Sequence, residues 1–293
     1  MKHQKQIQAM SGFSPALALS AWLAAVLTAM LFLSGLLHVK TADLLSLAGD
    51  SWFLRSIWLT IATSAVTTII CVAAGLPAAY AMSRLSQSGC RWLEKMMGLA
   101  DTIMATIIVI PSSSAGLCLM IFFMYPPVLS LQDAFGMRMV HSLPGILLAQ
   151  MFVAAALGIK AWNTGFDQLG STEELVARTL GATRFYAFIK VTLPMAANAV
   201  LAGIILVFTR SVAEFGAVLL LCSSFRDKSP AMFAPTARYL GLAQADILSV
   251  GMWLEIEGGN LGRGTLIGLT LVLLAIVCVY MLQTTLLERQ KCD

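Results

Sequence analysis

The sequence predicts an all-α polytopic membrane protein with six transmembrane helices. Three observations predict it. The 293-residue chain is 58% hydrophobic and 12% charged, with a mean hydropathy of +0.83, whereas soluble domains carry about 25% charged residues. Apolar runs longer than the roughly 18 residues that suggest a membrane span recur along it. Lys and Arg collect in short segments between those runs, as orientation in a bilayer requires. Helices follow because backbone groups in hydrocarbon must be satisfied without water. The net charge of +4 is modest, and no nucleic-acid partner is expected.

Residues 1–14 are polar and form an expected tail. Span 1 is the run Pro15–Leu37. It is longer than the core of a signal peptide and has no clear cleavage site. A loop, 38–55, follows, with an amphipathic piece at Leu44–Arg55 and with Trp52 and Trp58 suited to an interfacial belt. Span 2 is Ser56–Met82, where Pro77 predicts a kink. Span 3, Met96–Met124, carries Pro111 and then Ser112, Ser113 and Ser114. Two readings of that proline stay open, a packed kink or a wet, pore-lining break. Tyr125-Pro126-Pro127 opens a loop to His141, and span 4 is Ser142–Trp162. A polar interruption, 163–194, separates it from span 5, Pro194–Cys222. A long polar stretch, 223–261, holds an expected amphipathic helix near Ala243–Glu255. Span 6 is Leu261–Leu287, with Gly264 and Gly268 spaced for close helix contact, and 288–293 is a second tail. The six-helix domain is thus 15–287.

With both termini cytoplasmic, the inner segments hold Lys2, Lys5, Arg84, Arg91, Lys95, Lys160, Arg178, Arg184, Lys190, Arg289 and Lys291. The outer ones hold Lys40, Arg55, Arg138, Arg226, Lys228, Arg238 and Arg263. The larger inner set favours that orientation. The six cysteines are scattered with no Cys-x-x-Cys pair, which argues for apolar filler over zinc or disulfides. His3, His38 and His141 sit in tails and loops, with no nucleophile partner in view. No catalytic residue set and no metal site emerges, so an enzyme is not expected. A Gly-x-x-x-x-Gly-Lys-Ser/Thr phosphate loop is missing, so if ATP drives the protein a separate polypeptide binds it.

The interruption contains Glu174 to Pro194. Glu174 and Arg178 share a helix face at four-residue spacing, Gly181 permits a helix to end, and Phe185, Phe188 and Ile189 recur at helical spacing. Gly181 is followed by nine residues and then Val191-Thr192-Leu193-Pro194. This resembles the cytoplasmic loop of ABC-importer permeases, whose signature is Glu-Ala-Ala, three residues, Gly, nine residues, Ile-x-Leu-Pro. Glu174, Ala177, Arg178, Thr179, Leu180, Gly181 and Ala182 fit best the molybdate/tungstate/sulfate branch, while Leu175, Val176 and Val191 depart from it. The run Arg210-Ser211-Val212-Ala213-Glu214-Phe215-Gly216-Ala217 is similar to a run in molybdate permeases.

The resemblance implies a type I ABC-importer permease fold whose cytoplasmic loop, 163–194, carries a coupling helix. Glu174, Ala177, Arg178, Gly181, Ala182, Leu193 and Pro194 would form the contact with the ATPase. It implies a location in the inner (cytoplasmic) membrane and a second permease copy beside this one. Its further partners would be two cytoplasmic ATPase subunits that hold ATP-Mg, and an extracytoplasmic binding protein. The cargo it implies is molybdate or tungstate first, and sulfate or thiosulfate second. Arg210 and Glu214, four apart, are either a structural ion pair or a pathway site where Arg210 offsets the charge of an oxyanion. Phe215 is either a gate or core packing. A channel or secondary transporter working without ATP is the reading of a different class. Broken helices at Pro77 and Pro111 would suit it, but it leaves the loop signature unexplained.

Overall fold

The structure is a computed structural model that describes residues 15–222 and 247–290. The helices, in order, are α1 (Pro15–His38), α2 (Thr41–Ala48), α3 (Ser51–Ser86), α4 (Arg91–Val109), α5 (Ser112–Met124), α6 (Pro126–Ala134), α7 (Leu143–Leu169), α8 (Thr172–Thr179), α9 (Arg184–Ala187), α10 (Ala197–Val212), α11 (Gly216–Cys222), α12 (Leu248–Glu257) and α13 (Leu261–Gln290). Among the described residues, three helices are long and apolar enough to cross a membrane by themselves, α3, α7 and α13 within Leu261–Met281. Three bent pairs bring the candidate spans to six: α1 with α2 at 80°, α4 with α5 at 109°, and the turn before α10 with α10 at 81°.

The centre is α3, α7 and α10. Fully buried Gln150 of α7 ties them: its amide donates to Thr63 Oγ1 at 3.3 Å and to the Ser211 carbonyl at 3.2 Å, and its carbonyl accepts from Thr67 at 3.0 Å. Below it, Trp162 and Phe166 pack with Cys71, Leu76, Ala79, Ala154 and Val207, and the Trp162 indole N–H donates to the Val200 carbonyl at 3.0 Å. Above it, Leu59, Ile146, Ala217, Val218 and Leu221 make a second cluster. α12 packs on α13, where a side chain at Gly264 would meet Ile256 at 2.5 Å. The Gly264–Gly268 spacing therefore serves packing.

Several sequence expectations are corrected. Span 3 is not one kinked helix. Ile110 and Pro111 are extended, with ψ near 130°, and α4 and α5 meet at 109°. Proline lacks an N–H and drives its predecessor out of the helical region. Pro77 lies inside α3, which runs unbroken for 36 residues from Ser51, so Arg55 belongs to the rod and not to a loop. α7 extends seven residues past Trp162, ends at Leu169 and is closed by Gly170 at φ 69°. The interruption is correspondingly shorter. The loop before His141 contains α6. Pro194 does not start span 5: it sits in a helical turn, Leu193–Met195, and α10 begins after the bend. Span 5 itself is interrupted at Ala213–Phe215. The helix expected near Ala243–Glu255 is α12, which begins at Leu248 and is not amphipathic: Leu248 and Val250 are buried while Trp253 and Leu254 are exposed, and residues 243–246 lie outside the described ones. The expected tail 1–14 and residues 291–293 of the expected tail 288–293 also lie outside them, whereas 288–290 belong to α13. Cys71 and Cys222 are buried core residues, whereas Cys90 and Cys118 are exposed.

Candidate coupling site and pathway residues

The interruption folds as α8, a tight turn, α9, a π-helical turn at Phe188–Thr192, and the turn at Leu193–Met195. α8 carries Glu173 and Glu174 in its first turn and Arg178 in its last, which suits the helix dipole at both ends. It closes with a Schellman motif: the Gly181 N–H donates to the Arg178 carbonyl at 3.0 Å, and the Ala182 N–H to the Ala177 carbonyl at 3.1 Å. Gly181 has φ 95°, a conformation costly for other residues. Thr183 then caps α9 by accepting from the Tyr186 N–H.

Glu174 does not lie on an exposed face with Arg178. It is 7% exposed and faces α3. Tyr80 O–H donates to its Oε1 at 2.6 Å, Arg84 Nε to its Oε2 at 2.9 Å, and Thr192 Oγ1 approaches Oε2 at 3.5 Å. The physical reason is α3's length. Its last two turns reach α8 and offer a cation and a phenol to a carboxylate that α8 alone leaves unpaired. Arg84 also lies over the Tyr80 ring, 5.5 Å from its centre, and Tyr80 packs on Phe166 and Phe188. One turn along, Ser83 donates to Asp167 at 2.5 Å. These contacts fix α8 to α3 and α7.

The opposite side of this region is exposed and apolar, with Leu175, Val176, Leu180, Phe185 and Tyr186 at the surface. A shallow depression lies among Ala177, Leu180, Gly181, Ala182, Thr183 and Tyr186. Leu193 is half-buried and Pro194 exposed beside the π turn. An exposed apolar patch on a polar segment marks a contact surface. Sequence reasoning placed the signature residues but missed Tyr80, Ser83, Arg84 and Asp167, which lie at least 80 residues from their partners.

Arg210 and Glu214 form an ion pair at 2.8 Å. Glu214 is not on the α10 face but in the break after it. It is fully buried, and its Oε1 accepts from the Ala217 N–H at 3.1 Å, which caps α11. Its own carbonyl accepts from Ser249 of α12. These contacts suit the structural reading of Glu214, with Arg210 neutralising it. Phe215 is half-buried, its ring 5.7 Å from that of Trp253, within the outer cluster. That is a packing position. The two breaks touch: a Cβ on Gly216 would lie 2.6 Å from Ser112 Oγ and 2.7 Å from the Ser113 nitrogen. Outside these sites, α4 and α7 are joined by Lys160 and Asp101 at 2.5 Å. Lys160, counted above with the cytoplasmic cations, lies within α7.

Comparison with known proteins agrees with this architecture. The chain resembles a bacterial ABC transporter that imports the acidic polysaccharide alginate, with TM-score 0.65 and 15% identity over 97% of this chain and 96% of that one. It also resembles the inward-facing MetNI methionine ABC transporter, with TM-score 0.53 and 16% identity over 80% and 92%. Among sequences, it is 30% identical over 172 residues to the molybdate/tungstate transport system permease protein of Thermococcus kodakarensis, covering 59% of this chain and 62% of that one. A probable molybdenum ABC transporter permease of Haloferax volcanii is 34% identical over 171 residues, 56% and 59% of the two chains. The sulfate transport system permease protein of Escherichia coli is 33% identical over 135 residues, 45% and 48%. The matching stretch spans about three fifths of the length of the first two relatives. The model of one family, described as the binding-protein-dependent transport system inner membrane component, matches residues 91–291, more than half of the chain. The chain is therefore a member of that family, with up to six candidate spans among the described residues, three of them broken, arranged around α3, α7 and α10.

Proposed function

We propose that this chain is the permease subunit of an ATP-driven importer of small oxyanions, molybdate or tungstate first. Two copies form the pathway, with both termini and the α8 region on the cytoplasmic side. Two separate ATPase subunits hold ATP-Mg and press on the α8 region, and an extracytoplasmic binding protein delivers the anion. The observation that carries this reading is the α8 region itself: an exposed apolar surface on a helix whose other side is clamped to α3 through Glu174, Tyr80 and Arg84. A contact surface so fixed transmits a push into the spans. The cargo class is supported by relatives whose names specify molybdate and tungstate, and by the Arg210–Ala217 run.

The second cargo reading, sulfate or thiosulfate, is favoured by the similarity to sulfate permeases. The test is to reconstitute the chain with its cognate ATPase and binding protein in vesicles and compare uptake of labelled molybdate, tungstate and sulfate. ATP-dependent uptake of molybdate or tungstate ahead of sulfate is expected, together with loss of coupled hydrolysis in Glu174→Ala and Gly181→Ala. Sulfate preferred over both selects the second cargo. Uptake that proceeds without ATP or the ATPase overturns the importer reading in favour of a secondary transporter or channel.

A further inference from the structure

Lys160 and Asp101 belong neither to the coupling surface nor to the Arg210–Glu214 pair. Lys160 Nζ lies 2.6 and 2.5 Å from the two Asp101 oxygens. The side chains are 39% and 36% exposed. Asp101 stands six residues above Lys95 in α4, about 9 Å along the helix axis. Lys160 stands nine residues before the end of α7, about 14 Å along its axis. Both therefore lie within their helices, about two turns inward of the charged Lys95 and Asp167. Ionised groups at such a depth face a bundle interior or water, not lipid.

The surface of α4 indicates which. At about 100° per residue the helix has three faces. Leu93, Met97, Met104 and Ile108 are half-buried, beside Asp101 on the helix surface. Leu99 and Ile103 are exposed and apolar, a face suited to lipid. Between the two, bordering Asp101, run Gly98, Thr102 and Thr106, all exposed. The threonine hydroxyls donate to backbone carbonyls one turn earlier and keep lone pairs for water. One turn below Lys160, Thr164 is exposed, and Asn163 has a buried Oδ1 with no hydrogen-bond partner. A polar strip thus crosses both helices at the level of the ion pair.

We propose that this strip lines the water-filled cytoplasmic half of the translocation pathway, and that Lys160, held by Asp101, is the cation a passing oxyanion meets there. The inference rests on the oxyanion-importer reading above. Asp101 competes with the cargo for Lys160, so the anion is attracted without being trapped, as conduction requires.

The test uses the full assembly of permease, ATPase and binding protein. In a background with the native cysteines replaced, Thr102→Cys, Thr106→Cys and Ile103→Cys are exposed to a membrane-impermeant anionic thiol reagent from the cytoplasmic face. The two threonine positions are expected to label at least about tenfold faster than Ile103→Cys. Equal labelling, whether lipid or a second copy covers the strip, overturns the pathway placement. In uptake, Lys160→Gln is expected to lower the rate at saturating binding protein about tenfold, with the half-saturating concentration unchanged and Lys160→Arg retaining most of the rate. The exchange Asp101→Lys with Lys160→Asp re-forms an ion pair. If that pair restores uptake, the role is structural and the assignment falls. If wild type imports oxyanions and Lys160→Gln does so equally well, the Lys160 assignment alone is overturned. If wild type imports none of them, the function proposed above is overturned, and the Lys160 assignment with it.

Discussion

Glu174 is held by two side chains of another helix, Tyr80 and Arg84. Removing one partner of a buried pair is costly because the other charge stays desolvated. Glu174→Ala is therefore expected to destabilise the purified chain by about 3 kcal/mol, read as a fall in Tm in detergent. Unchanged thermal stability would show that the clamp contributes nothing. At Gly181 the cost is conformational: nothing lies within 4 Å of a built Cβ, but φ is 95°. Gly181→Ala is expected to cost about 1–2 kcal/mol and to weaken co-purification with the ATPase. The sequence made α8 and its Gly181 ending legible because a Schellman motif spans six consecutive residues. The clamp was hidden because Tyr80 and Arg84 are 94 and 90 residues from Glu174, and no local pattern announces such a pair. Gln150 was hidden for the same reason, as a single amide in an apolar run.

Among the elements, the breaks show the same division. Pro111 marks one in the sequence. The other, at Ala213–Phe215, has no proline, and it is the Glu214 carboxylate, capping α11 from within the break, that sets it. Pro77 differs from Pro111: it does not interrupt its helix, and α3 continues through it, flanked by the buried Leu76 and Ala79 of the Trp162 cluster. Packing there outweighs one lost backbone bond. The two breaks meet through Gly216 and Ser112. Gly216→Ala places a methyl group against the Ser113 backbone, which has no rotamer to escape into. A loss of about 1–3 kcal/mol from overpacking is expected, together with slowed uptake. Full activity and an unchanged Tm in this variant would show that the breaks separate freely.

At the scale of the molecule, composition alone made a helical membrane protein legible, and the count of spans came from the apolar runs. The order of apolar runs also placed α3, α7 and α13, which need no break. The orientation rests on the distribution of Lys and Arg, and it yields a direct prediction. A reporter that works only in the cytoplasm should be active when fused after Asp293 and silent when inserted after Gly136, between α6 and α7. The reverse pattern would put α8 outside the cell and sink the coupling proposal. On the outer surface of α13, Leu273, Ile276 and Tyr280 are exposed, as a lipid-facing helix requires. Ile276→Asp is expected to cost about 2.5–3.5 kcal/mol of insertion energy, measured as reduced membrane-integrated protein.

The single rod α3 has one more consequence. Its 36 residues make it about 54 Å long. Near its lower end it is bolted to the α8 region by Arg84 and Tyr80. Near its upper end Thr60 accepts from the Leu248 N–H, and Asp50, its N-cap, binds Arg263. If the α8 region takes the push proposed above, a helix tied at both tips carries that displacement from one end to the other, without any relay of small side-chain steps.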